Sequence, residues 1–261
     1  MTDFTTSADG TRIAYESLGT GPSLVLVDGA MCYRDFGPCR SLAEHLKDRF
    51  TVYFYDRRGR GESGDTAPYA PEREYEDLAA VISAAGGDTY VLGFSSGGAL
   101  ALQAAASGVP MRKLASYEAP YVGITSKKGK PMDYLGDLSA LIRDDKREKA
   151  LGYFMVDMVG GPKFLPIMFK LMPKVLTQLK AVAPTLLNDA RVMDTFTAPA
   201  SLAKISIPTL VMGGSKAKPN MTKAVSDVAS TVPGSVHRTL PGQTHQVKDE
   251  AIAPELVEFF A

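Results

Sequence analysis

The stretch Tyr90-Val91-Leu92-Gly93-Phe94-Ser95-Ser96-Gly97-Gly98-Ala99 decides how this chain is read. It opens as a short apolar run and closes on alanine-rich sequence, Ala99 to Ala106, that favours a helix. Between the two lies Gly93-x-Ser95-x-Gly97, a G-x-S-x-G turn. A serine at the corner of a strand–turn–helix is held in a strained backbone conformation, so the residues two before and two after it must be small. The turn lifts the serine Oγ out at the C-terminal edge of a sheet. The helix that follows aims its first N–H groups at the same place, where negative charge would develop. The register singles out Ser95, because centring the motif on Ser96 would put Phe94 where a small residue is needed. Taken alone, the motif also fits a glycine-rich turn with a helix-capping serine.

Outward from this turn, short buried strands alternate with helices. Leu24 to Val27, Thr51 to Tyr55 and Lys113 to Tyr117 read as strands of a parallel sheet covered on both faces. Helices are expected over Ser41 to Lys47 and Glu72 to Ala84. The Asp9-Gly10 pair followed by alternating Arg12-Ile13-Ala14-Tyr15-Glu16 reads as a hairpin. The rhythm stops after Pro120. Tyr121 to Ala200 shows helices and no buried strand, and holds Met132, Met155, Met158, Met168, Met172 and Met193. Strand and helix return with Ile207 to Met212, a helix from Thr222 to Ser230, a strand at Val236 to Leu240 and a last helix from Ala251 to Phe260. The expected fold is α/β, a mostly parallel central sheet flanked by helices. Residues 1–120 and 201–261 form the core and 121–200 a helical cap insertion, too long for an ordinary loop.

The 261 residues suit one α/β domain or two small ones, and 45% apolar with 22% charged residues is the balance of a globular protein. Lys plus Arg equals Asp plus Glu at 29 each, which argues against a nucleic-acid partner and against a polybasic membrane surface. No apolar run is long enough to span a bilayer, and the N-terminus lacks the pattern of a secretory signal. Cys32 and Cys39 are too few for a metal cluster or a disulfide framework, and read as free thiols of a reducing cytoplasm, with a bridge between them as the alternative. Monomer and homodimer both remain open.

A serine needs a base. Of three histidines, His45 belongs to an early helix and His237 to the last strand. His245 follows that strand in Pro241-Gly242-Gln243-Thr244-His245, on a loop at the C-terminal edge, where α/β sheets place their sites. It is the base by elimination and position.

Val27-Asp28-Gly29-Ala30, Tyr55 through Gly64 (with Asp56-Arg57-Arg58-Gly59-Arg60-Gly61), the Ser95 turn and Gly242 to His245 together resemble the α/β-hydrolase superfamily over essentially the whole chain. The resemblance implies a serine hydrolase with a nucleophile elbow and a helical cap. It implies an oxyanion hole from the backbone N–H groups of Ala30 and Ser96, and a structural role for the arginine-glycine stretch. Two departures stand out. Asp28 replaces the usual histidine of the oxyanion loop, and is read as capping loop N–H groups or as a carboxylate near the pocket. The usual aspartate after the strand ending at Met212 is missing, and Asp227 lies too far into a helix. Glu118, at the end of the preceding strand, is the candidate acid, with Asp28 as the rival.

The reading is a cofactor-independent hydrolase of a small to medium, mostly apolar ester or lactone, taking a small-molecule substrate and using no metal. Met31, Cys32, Phe94, Met155 and Met158 are the expected pocket residues, with Phe154, Phe164, Leu165, Ile167 and Phe169 as further cap candidates. Lys127, Lys128 and Lys130 are expected in a solvated loop. A C–C hydrolase or lyase, a cofactor-free perhydrolase and a non-catalytic ligand-binding protein remain as alternatives on the same residues.

Overall fold

The computed structural model describes residues 1–123 and 132–261. The Lys127, Lys128 and Lys130 run lies outside them. Before the insertion the chain runs β1 (Asp3–Thr6), β2 (Arg12–Leu18), β3 (Ser23–Val27), α1 (Cys39–Leu46), β4 (Thr51–Tyr55), α2 (Pro71–Ala84), β5 (Tyr90–Phe94), α3 (Ser96–Ala106) and β6 (Lys113–Tyr117). Five helices follow with no strand between them: α4 (Tyr134–Arg143), α5 (Arg147–Gly152), α6 (Leu165–Lys170), α7 (Pro173–Val182) and α8 (Leu186–Met193). The chain then returns through β7 (Thr209–Gly214), α9 (Pro219–Thr231), β8 (Val236–Leu240) and α10 (Asp249–Phe260).

The eight strands form one sheet in the order β1-β2-β4-β3-β5-β6-β7-β8. β1 and β2 pair antiparallel, as does β2 with β4, and every later pair is parallel. The period of two along a strand divides the core into two layers. Leu24 and Leu26 of β3 pack with Leu42 and Leu46 of α1 and with Ile252, Leu256 and Phe260 of α10. Val25 and Val27 pack on the other face with Leu78 and Val81 of α2 and with Leu100 of α3. Phe260 stacks on Tyr90 with ring centroids 4.8 Å apart, which pins the C-terminal helix under the central strands. All parallel strands point their C-terminal ends the same way. The loops after β3, β5, β6, β7 and β8 therefore gather on one edge, with the inserted helices beside them. No described helix is long and apolar enough to cross a membrane.

Candidate active site

β5 ends at Phe94 and α3 begins at Ser96, so Ser95 alone makes the corner, at φ 51° and ψ −124°. Two glycines make that corner possible. A Cβ on Gly93 would run into the main chain of Gly97 and Gly98, and one on Gly97 into the carbonyls of Val27 and Asp28. The helix therefore starts three residues earlier than its alanine run suggests.

Glu118 follows β6 directly, also at positive φ (47°), and is 1% exposed. Its Oε1 accepts the Gly214 N–H at 2.8 Å from the end of β7. Its Oε2 accepts from His245 Nδ1 at 2.7 Å, and His245 Nε2 lies 3.1 Å from Ser95 Oγ. The histidine loop is anchored by the Tyr117 hydroxyl, which donates to the Thr244 carbonyl at 2.6 Å, and by the Lys216 N–H on the Gln243 carbonyl at 2.8 Å. After β7, where the family pattern places an acid, Ser215 instead accepts the Gly242 N–H at 2.7 Å and holds the same loop with a neutral group. The structure thus brings Ser95, His245 and Glu118 into one hydrogen-bonded row. A hydroxyl on one imidazole nitrogen and a carboxylate on the other is the arrangement for general-base activation of an oxygen nucleophile. His45 is exposed on α1 facing Asp249 and Glu250, and His237 is exposed on β8.

Ser96 is the first residue of α3, so its N–H has no acceptor within the helix. The Ala30 N–H donates to no main-chain carbonyl among the described residues. Both residues border the same cavity as Ser95.

Behind them lies an ion network that the sequence did not reveal. Arg57 and Arg60 are almost fully buried and grip the loop after β3 by its carbonyls: Arg60 Nη1 donates to Gly29 at 2.7 Å and Cys32 at 3.2 Å, and Arg57 Nη1 to Asp28 at 3.3 Å. Both arginines converge on Asp189 of α8, at 2.8 Å each, and Glu74 takes the far side of Arg57 at 2.6 and 2.9 Å. The Ser96 hydroxyl donates to the same Asp189 oxygen as Arg57, at 2.8 Å. Burial acts to raise the Asp189 pKa, but Arg60, Arg57 and the Ser96 hydroxyl outweigh it and the carboxylate is held below its ordinary range. Three arginines packed into Asp56-Arg57-Arg58-Gly59-Arg60 signal that buried acids must exist somewhere. Nothing in the sequence says that one of them sits on an inserted helix.

Of the two readings made for Asp28, the structure corrects the capping role. Asp28 caps no N–H group among the described residues, and its Oδ1 has no partner there. Its carboxylate is buried one layer behind the cavity wall, beside Gly37, which lines it. Burial pushes its pKa up to about 7, against the Cys39 thiol, Arg60 and Arg57, which favour the ion.

The cavity over Ser95 is about 490 Å³. Ala30, Met31, Cys32, Phe94 and Phe154 line it as expected, joined by Phe36, Tyr117, Val159, Met193 and Val247. Met155 and Met158 do not. They are 6% and 4% exposed inside the inserted helices, where Met155 faces Leu151, Pro166 and Leu176. The segment that carries them is a π-helical turn over Tyr153–Met158, closed by the Val159 N–H on the Phe154 carbonyl at 3.0 Å. Phe154 and Val159, at the two ends of that hydrogen bond, border the cavity, while Met155 and Met158 pack within the inserted helices. Phe164 and Ile167 face solvent, and Leu165 and Phe169 are half-buried away from the cavity. Cys32 touches the cavity as a thiol, since burial and then the Asp28 charge push its pKa up to about 12. No group of metal-ligating side chains occurs among the described residues.

The family model described as the alpha/beta hydrolase family matches residues 19–254. The chain belongs to this family. An alpha/beta hydrolase from Sphaerobacter thermophilus is 48% identical in sequence, covers 99% of this chain and 100% of its own, and superimposes with a TM-score of 0.91. The enol-lactonase from Burkholderia xenovorans shares the fold at a TM-score of 0.72 and 20% identity, covering 99% of each chain. Among curated relatives, an N-formylmaleamate deformylase from Pseudomonas putida is 35% identical over 125 residues. That match spans 45% of this alpha/beta hydrolase and 45% of the deformylase, less than half of either.

Proposed function

We propose that this alpha/beta hydrolase is a cofactor-independent serine hydrolase. It opens small to medium, mostly apolar carboxylic esters or lactones through an acyl-enzyme on Ser95. The observation that carries the reading is the row Ser95–His245–Glu118 at the floor of an apolar cavity. His245 Nε2 takes the Ser95 proton as Oγ attacks the carbonyl carbon. Glu118, tied down by Gly214, holds the ring and stabilises the imidazolium. The Ala30 and Ser96 N–H groups receive the oxyanion. His245 returns its proton to the leaving oxygen, then activates water to free the acid and restore Ser95. The helices between β6 and β7 act as the cap, supplying Phe154, Val159 and Met193 to the acyl-binding wall.

Charge narrows the substrate. The deformylase named above acts on a molecule that carries a carboxylate. No lysine or arginine lines this cavity among the described residues, and Arg57 and Arg60 direct their N–H groups at Glu74, Asp189, Thr185, Ser96 and main-chain carbonyls. An uncharged acyl group therefore fits better than an anionic one. The volume lies within the usual range of small-molecule sites, about 300–1,000 Å³.

The test is labelling with a fluorophosphonate, read by intact mass and peptide mapping. One label per chain on Ser95, slowed in Glu118→Gln, supports the reading. A folded wild-type protein that takes no label overturns it.

A further inference from the structure

α6 and its flanks turn an apolar stripe outward. Phe164, Ile167, Met168 and Leu171 are spaced i, i+3, i+4, i+7, one side of a helix, and are 60%, 65%, 37% and 81% exposed. Met172 extends the stripe at 45%. The opposite side of the helix already has its partners, with Pro166 and Phe169 beside Leu151, Met155 and Leu176. The exposed stripe is thus surplus to the packing of the inserted helices, and single-residue scatter does not describe it.

Its surroundings are cationic. Lys163, Lys170 and Lys174 are exposed and make no ion pair among the described residues, whereas Lys180 pairs with Glu148. No aspartate or glutamate occurs in the sequence between Asp157 and Asp189. Lys218 adds an exposed ammonium to the same edge, donating to the Gly160 carbonyl at 2.7 Å. The whole-chain balance of 29 against 29 conceals this strip. The strip also adjoins the site, because Val159 is 45% exposed and lines the cavity over Ser95.

We infer that this face binds an anionic lipid surface, with the stripe Phe164–Ile167–Met168–Leu171 set among the acyl chains and the four lysines at the headgroups. An apolar helical side rimmed by lysines unpaired among the described residues, its one acidic neighbour there, Glu148, lying on the opposite side and paired with Lys180, is the pattern of an interfacial element, which lies on a membrane without spanning it. A second copy of the chain is the poorer occupant. Two-fold pairing through this face would set Lys163, Lys170 and Lys174 against their own copies. Seated on lipid, the cavity mouth at Val159 would face the phase in which apolar esters accumulate.

The experiment is flotation of the full chain with vesicles of phosphatidylcholine and phosphatidylglycerol mixed two to one, against phosphatidylcholine alone, at low salt. The expected result is recovery with the mixed vesicles only, with release by high salt. Two variants, Ile167→Glu with Leu171→Glu and Lys163→Glu with Lys170→Glu and Lys174→Glu, should each weaken recovery by about tenfold or more. Both change solvent-facing side chains, and an unchanged melting temperature shows that the fold is kept. Ser95→Ala should float like wild type, so a failure of the hydrolase reading and a failure of this one are separable. Equal recovery with the two vesicle types would overturn the inference, as would variants that float undiminished. So would a lipid-free dimer that Ile167→Glu with Leu171→Glu converts to monomer, since the face would then belong to a second copy.

Discussion

Ser95 and Ser96 are neighbours at one corner, and their hydroxyls have opposite fates. Ser95 Oγ opens on the cavity and meets the half-exposed His245. Ser96 Oγ turns inward to Asp189, whose side chain is fully buried between Arg57 and Arg60. The first row ends on a group able to take up a proton. The second ends on a carboxylate already held ionised by two guanidinium groups, and has no such capacity. One residue of chain separates a row suited to chemistry from a row suited to holding the backbone still. The second row also ties an inserted helix, α8, to the carbonyls of the loop after β3.

The sharpest way to break this comparison is Glu118→Gln. Losing the carboxylate behind His245 should lower kcat by about 10³–10⁴-fold with little change in KM, measured on a neutral chromogenic ester. A kcat within threefold of wild type would remove Glu118 from the reacting row. Asp189→Asn comes next. It leaves buried Arg60 without a counter-ion and Arg57 with Glu74 alone, so the chain should lose about 3 kcal/mol or more in denaturant unfolding. If the row also positions the oxyanion donors, kcat should fall about 10–100-fold at near-constant KM in the protein that remains folded. Lost stability with kcat unchanged would reduce the row to scaffolding.

Asp28 is the third probe. Its pKa stands near 7 in the fold, above that of an exposed aspartate, so the fold favours the protonated form. That contribution is complete in acid and is lost as pH rises through about 7. Asp28→Asn should therefore flatten the dependence, with a melting temperature a few degrees above wild type at about pH 8 and no such gain at about pH 4. The smallest effect belongs to Ser96→Ala. The backbone N–H survives and the hydroxyl's two hydrogen bonds go, the one to Asp189 and the one from Arg57, so stability should drop by about 1–2 kcal/mol and kcat by less than threefold. A large kcat loss there would mean that the hydroxyl itself takes part.

The sheet was legible because β3, β4, β5 and β7 are buried on both faces and read as short apolar runs. The elbow was legible because its geometry excludes all but small residues at Gly93 and Gly97. Glu118 could be picked from its place at a strand end. The inserted helices were not legible in the same way. Helical periodicity says which residues share a side, but not whether that side meets the cavity, the interior or solvent. Of the cap candidates only Phe154 lines the cavity, joined by Val159, while Met155 and Met158 pack inside and the regular stripe on α6 points outward. Asp189 escaped because an ion network joins residues more than a hundred positions apart, and sequence shows the arginines without their partners.

The central claim is that Ser95 becomes covalently acylated. It is tested most directly by mixing wild-type protein with a p-nitrophenyl ester of a short fatty acid, quenching in acid within the first turnover, and reading the intact mass. The expected result is one acyl group per chain, mapped to the peptide containing Ser95, formed together with a burst of p-nitrophenol and absent from Ser95→Ala. Steady turnover by wild type with no burst and no acylated peptide, or full turnover by Ser95→Ala, would contradict the account.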